Sequence, residues 1–227
     1  MRDILIIYNW TGKSSYGRLA LVTSAPSARP RLTSRGAATR RLLIDGTAEL
    51  IREEGVGVTL DDVLVKTRTS KSQIFHYFPG GKEELLLAVV QHEADRVLTD
   101  QEPHLDELGD WESWNAWRDA LLARYREQGD SCPMRVVVSE IGRSPATQAV
   151  SSQLLGEWTR RLRLGITRLM EAGLIGDDVD ADAHARALVA GIQGGVTVLL
   201  ATGSIAYLES ALDLAIENLR RFAREAS

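Results

Sequence analysis

Lys71, Ser72, Gln73, His76 and Tyr77 stand together in a run that reads Ser-Lys-Ser-Gln-Ile-Phe-His-Tyr-Phe from Ser70 to Phe78. Their chemistry suits a nucleic-acid duplex. Lysine neutralises a phosphate, glutamine pairs through two hydrogen bonds with adenine, and tyrosine and histidine donate to phosphate oxygens. In a helical run Gln73, His76 and Tyr77 share one exposed face at i, i+3 and i+4, while Ile74, Phe75 and Phe78 turn inward. Arg40, Thr59, Thr69 and Lys82 flank the run and complete the set of candidate DNA contacts.

Such a set works only if neighbouring elements hold the run against a groove. Thr59 caps a short helix with Asp61 and Asp62 in its first turn, where the helix dipole favours negative charge. Leu60, Val63 and Leu64 form its inner face. Thr67-Arg68-Thr69 breaks that helix, Ser70 starts the next, and Pro79-Gly80-Gly81 stops it after Tyr77. Two short amphipathic helices joined by a tight turn make the helix-turn-helix plan, in which the second helix enters the major groove. Upstream, a helix from about Gly36 carries Leu43, Thr47, Leu50 and Ile51 on one face and ends at Gly55-Val56-Gly57. Gly46 inside it costs about 1 kcal/mol relative to alanine, so tertiary packing must hold that helix.

Further helices are expected over Lys82–Val97, Trp111–Gln128, Pro133–Ile141, Pro145–Ala172, Asp182–Thr202 (capped by Asp182) and Ile205–Ala226. No strand alternation appears, so the expected fold class is all-α with about nine helices. The expected division is a flexible tail over 1–32, a three-helix helix-turn-helix domain over 33–81, and a larger helical domain for ligand binding and dimerisation over 82–227.

The 227 residues are 44% hydrophobic and 26% charged, an ordinary globular balance. The formal charge of −4 conceals an asymmetry. Residues 29–82 carry ten Lys or Arg against six Asp or Glu, whereas residues 83–227 carry 14 Arg against 24 Asp or Glu. A basic front can approach a polyanion while the acidic remainder favours solubility. A lone cysteine, Cys132, excludes an internal disulfide and suits a reducing compartment. No run of 18 apolar residues exists and Ile4–Ile7 is too short for a signal-peptide core, so no membrane partner and a cytoplasmic location are expected. His76, His92, His104 and His184 lack metal-ligand spacing, and residues 177–182 lack the glycine and closing glutamate of a calcium loop. Neither a metal, a cofactor nor a catalytic centre is expected. The residues leave open two alternatives, a small helical enzyme or ligand carrier without DNA binding, and a dimeric interaction protein with a degenerate reading head.

Trp111, Trp114 and Trp117 form an aromatic arc at i, i+3 and i+6. Trp114, Trp117, Tyr125, Met134, Trp158, Leu162 and Gln193 are candidate lining residues for a flat, hydrophobic ligand, in the manner of apolar pockets with a few polar groups. The bland alternative is core packing. Leu188, Ile192, Val196 and Leu199, followed by Leu208, Leu212, Ala215 and Leu219, form stripes suited to a four-helix dimer seam or to the monomer core.

From Thr39 to Leu87 the sequence resembles the N-terminal domain of TetR-family transcriptional regulators, on Gly55, Thr59, Val63, Ser70-Lys71, His76-Tyr77-Phe78 and Lys82-Glu83-Glu84-Leu85. Phe-His-Tyr-Phe-Pro-Gly-Gly-Lys, with Cys132-Pro133 and Glu140, is similar to the LmrA/YxaF-like branch. The resemblance implies a homodimeric, ligand-responsive repressor that binds a palindromic operator in double-stranded DNA and leaves it when a small-molecule effector binds the C-terminal domain. Three departures stand out. Arg68 occupies a turn position where the family usually has glycine; Phe75 replaces a common tyrosine, removing one phosphate hydrogen bond; and the tail is longer than the family needs.

Overall fold

In the computed structural model the chain is described at residues 32–54, 57–128, 132, 136–137 and 144–223. Among them lie eight helices: α1 Ser34–Glu54, α2 Leu60–Thr67, α3 Lys71–Tyr77, α4 Lys82–Thr99, α5 Trp111–Gln128, α6 Pro145–Glu171, α7 Ala181–Thr202 and α8 Ala206–Arg220. The ninth expected helix, Pro133–Ile141, falls mostly outside the described residues, of which Val136 and Val137 are helical. The expected tail, Leu32 excepted, and the Gly55-Val56 stop also lie outside them.

Helix starts follow short-range side-chain chemistry. Thr59, Ser70 and Ser144 each close a capping box, with Asp62, Gln73 and Thr147 respectively at the third helical position. At α7 the cap is Asp180, whose carboxylate accepts from Ala183 N at 2.9 Å. Asp182, the expected cap, instead lies in the first turn, where the dipole still favours it. Helix α8 stops short of the expected Ala226. The Phe222 carbonyl accepts from Gly176 N at 2.9 Å, and Ala223 forms an isolated antiparallel bridge with Ile175, drawing the chain onto the α6–α7 connection.

Buried apolar side chains gather in two clusters. One joins α1, α2 and α3 through Leu43, Ile51, Val63, Ile74 and Phe78, and includes Leu85 and Val89 of α4. The other contains Val90, Ala94 and Val97 of α4 and the inner faces of α5 to α8. Helix α4 is therefore embedded in both. It packs on α1 and α6, α6 packs on α7, and α7 packs on α8. Midway along α4, Glu93 is only 1% exposed and pairs with Arg52 of α1 at 2.9 Å and with Arg96 at 3.2 Å.

Leu188, Ile192, Val196, Leu208, Leu212 and Leu219 are buried within the second cluster, with Leu199 and Ala215 packed against it. Those stripes complete the core of a single chain and do not form an outward seam. The outward face of the α7–α8 pair is made instead by Ala187, Ala190, Gly194, Thr197 and Ala201 on α7, with Tyr207 and Leu214 on α8 59% and 68% exposed. The two helices approach closely because a Cβ on Gly195 would lie 2.5 Å from the Leu208 Cα. Helix α7 is long and apolar enough, by length and composition, to cross a membrane, although no uninterrupted apolar run marks it in the sequence. Here its Leu188, Ile192 and Val196 side faces the core.

Candidate nucleic-acid interface

Helix α3 is anchored from beneath. Ile74 and Phe78 are fully buried between α1, α2 and α4, and the Arg40 guanidinium lies 5.2 Å from the Phe78 ring centroid. Lys71, Ser72, Gln73 and His76 are exposed above this anchor. No Asp or Glu occurs between Asp62 and Glu83, a span that carries Lys66, Arg68, Lys71 and Lys82. Lys66 is occupied by Glu49 and Glu53 at 3.3 and 3.1 Å. Arg68, Lys71 and Lys82 make no ion pair among the described residues, so their charge is available to a polyanion.

Several candidates are held by neighbours. Thr59 donates through its backbone N–H and its hydroxyl to Asp62, at 2.7 and 2.6 Å. The Thr59 hydroxyl and backbone bonds hold the Asp62 carboxyl below its ordinary value, and the nearby Lys82 charge acts in the same direction. Thr69 is half-buried, its hydroxyl 2.8 Å from that of Thr67. Gln73 Oε1 accepts from Ser70 N at 2.8 Å and from the Ser70 hydroxyl at 3.1 Å. A two-bond contact to adenine needs that oxygen, so the capping box and the expected base contact compete for one atom. Tyr77 is half-buried rather than fully on the exposed face: its ring meets His76 edge-on at 4.8 Å, and its hydroxyl approaches Gly36 at the start of α1.

Arg68 has φ 51° and ψ 39°, a left-handed residue closing α2. It is the only non-glycine with positive φ among the described residues. Phe75 departs from expectation in the other direction: it is 43% exposed and not turned inward. Its ring rests beside Gly81, where a Cβ would meet Phe75 Cε1 at 3.3 Å. Gly81 has φ 68° and ψ −137°, a conformation that L side chains rarely adopt. Glycine thus serves both the turn and the seat of the ring.

The candidate effector residues lie elsewhere, in the second cluster. Trp114, Trp117, Trp158 and Leu162 are fully buried, and Tyr125 is nearly so. The Trp114 and Trp117 rings pack edge-on at 5.8 Å, and Trp117 Nε1 donates to Gln101 Oε1 at 3.1 Å. The buried indole N–H groups of Trp114 and Trp158 have no hydrogen-bond acceptor among the described residues. Tyr125 borders a void of about 10 Å³ with Gln101 and Arg124, room for at most one water. Burial pushes its phenol well above the ordinary range, leaving it neutral. Gln193 is half-buried on α7, and Met134 lies outside the described residues.

Residues 43–89 match the sequence family described as bacterial regulatory proteins, tetR family. An HTH-type transcriptional regulator of Mycobacterium tuberculosis (strain ATCC 25618 / H37Rv) is 32% identical over 113 residues, covering 45% of this chain and 53% of the relative. The chain thus spans about half the length of that relative. An HTH-type transcriptional regulator of Lactococcus lactis is 27% identical over 191 residues, covering 78% of this chain and 90% of the relative. Among solved structures, a TetR-family regulator of Cytophaga hutchinsonii superposes with a TM-score of 0.73 at 18% identity, covering 86% of this chain and all (100%) of that one. A TetR regulator of Haloarcula marismortui gives 0.71 at 22% identity, covering 83% and 100%. With α3 braced on its buried side and basic on its open side, residues 43–89 are similar to the tetR family of bacterial regulatory proteins, and the helical fold is the one seen in solved TetR-family regulators.

Proposed function

We propose that this protein is a ligand-responsive, DNA-binding transcriptional regulator of the cytoplasm, acting as a repressor released from its operator by a small hydrophobic molecule. The observation that carries this reading is α3 itself, sealed below by Ile74 and Phe78 and presenting Lys71, Ser72, Gln73 and His76 outward on a stretch without carboxylates. In a homodimer two such helices lie one or more DNA turns apart, in multiples of ~34 Å, and read a palindrome. Lys71 and Lys82 neutralise phosphates, and Arg40, Thr59, Thr69, Ser72, His76 and Tyr77 orient the backbone. Gln73 keeps its cap and offers its NH2 to the DNA backbone rather than to a base. The Phe-His-Tyr-Phe-Pro-Gly-Gly-Lys segment favours the LmrA/YxaF-like branch within the family.

Residues 33–81 form the reading head and 82–227 the body that dimerises and takes the effector. Two buried indole N–H groups, on Trp114 and Trp158, that find no acceptor among the described residues favour an aromatic or otherwise apolar effector that carries acceptor atoms. Because α4 is embedded in both apolar clusters, an effector that displaces it alters the spacing of the two α3 helices. To act as a switch the effector must bind the displaced state more tightly by several kcal/mol.

The test is a salt titration of the full chain on random duplex DNA, followed by selection of the preferred site. Micromolar binding that weakens steeply with salt supports a regulator; its absence favours the carrier or enzyme reading. Lys71→Ala should weaken binding to all sequences alike and lower the salt slope by ~1.

A further inference from the structure

We propose that Phe75 recognises the 5-methyl group of a thymine in each operator half-site. The inference rests on the DNA-binding reading above and adds to it the base pair that the head prefers. A seven-residue helix that buries Ile74 and Phe78 completely nevertheless leaves Phe75 43% exposed. The ring lies one turn beyond Lys71 and Ser72, at i+4 and i+3, on the side of α3 that carries the free positive charge. Its seat is built: the absence of a Cβ on Gly81 lets the ring edge lie against the backbone, and the φ of 68° there keeps that position suited to glycine.

Phenylalanine has no donor or acceptor, so this position cannot bind a phosphate oxygen as a tyrosine would. In the major groove the apolar feature that identifies a base pair is the thymine methyl, and phenylalanine is among the side chains that contact it. The usual polar reader at hand, Gln73, has its carbonyl oxygen engaged by Ser70. Charge complementarity names the occupant: Lys71 lies one helical turn before Phe75, Lys82 directly follows the Gly81 on which the ring rests, and the sequence carries no carboxylate between Asp62 and Glu83.

The experiment selects a preferred duplex with the full chain, then replaces each thymine in turn by deoxyuridine, which lacks only the methyl. At fixed salt, one uracil in a single half-site should weaken the wild-type protein about fourfold, the effect of withdrawing one methyl-sized group from an apolar contact, and one in each half-site about 16-fold. Phe75→Ser should bind the thymine and uracil duplexes equally, with an unchanged salt slope. Phe75→Leu, which retains an apolar tip, should still discriminate. A wild-type protein indifferent to uracil at every thymine overturns the proposal, as does discrimination that survives in Phe75→Ser. If the serine variant binds no duplex, loss of discrimination in Phe75→Leu also overturns it. A wild-type protein that selects no site and binds duplex without salt dependence instead removes the regulator reading, an outcome distinct from a selected site that tolerates uracil.

Discussion

At φ 51°, Arg68 holds a conformation that costs a residue with a Cβ about 1 kcal/mol. No ion pair within the described chain offsets that cost. Arg68→Gly should therefore raise the unfolding free energy by about 1 kcal/mol, read as a higher urea midpoint at constant slope. The unusual residue at this turn was visible through the family resemblance, and the caps at Thr59 and Ser70 directly in the residues, because a cap is decided within about one helical turn. The orientations of Phe75 and Gln73 were not. A helix under two turns long has too little periodicity to rank its faces, and what settled them were the flat Gly81 seat and the Ser70 hydroxyl. Gln73→Ala removes half of a capping box, so its expected effect is uniform weakening on all DNA sequences, together with lower stability. Preference lost at a single base pair, with affinity elsewhere intact, would show instead that the amide reads a base.

Between elements, close approach and buried charge do most of the positioning. A Cβ on Gly46 would lie 2.5 Å from the Thr67 methyl, and Thr67 cannot readily turn away because its hydroxyl donates to Val63 O at 2.6 Å. Helix propensity alone makes Gly46→Ala favourable by about 1 kcal/mol. The contact between α1 and α2 reverses the sign, and we expect net destabilisation of about 1–2 kcal/mol in urea melts. Arg52→Ala leaves Glu93 buried with Arg96 and, more distantly, His92 as its neighbours; loss of one partner from a buried pair costs about 3 kcal/mol. The α2 cap also predicts a pH effect. Asp62 has a lowered folded pKa, so its stabilisation is present above the ordinary value of 3.8 and is lost as pH falls through the lowered one. The stability difference between wild type and Asp62→Asn should be full near neutrality and vanish in strong acid, followed by circular dichroism.

For the whole molecule, apolar periodicity in α7 and α8 located the right faces but not what covers them. A stripe such as Leu188, Ile192 and Val196 reads alike whether its cover is the same chain or a second copy, and here α5, α6 and α8 share that cluster. The face left outward is made of small residues on α7 beside Tyr207 and Leu214. In the proposed dimer it meets its own counterpart about a two-fold axis. Leu214→Arg, at an exposed position that costs the monomer little, should shift sedimentation toward the monomer and weaken site-specific DNA binding far more than random-duplex binding. Retention of a full-strength dimer would move the interface elsewhere.

Helix α4 also decides where such a protein can be recombined. A chimaera joined at the turn before Lys82, the easiest place to cut by eye, would strip Leu85 and Val89 from the head and leave Arg52 without Glu93. One joined beyond Thr99 would carry the rod across whole, but would present Val90, Ala94 and Val97 to a foreign body. Either junction exposes a mismatch, so a chimaera needs matching side chains on both sides of α4, and for the proposed regulator a new effector is reached more readily by altering side chains in place than by exchanging modules.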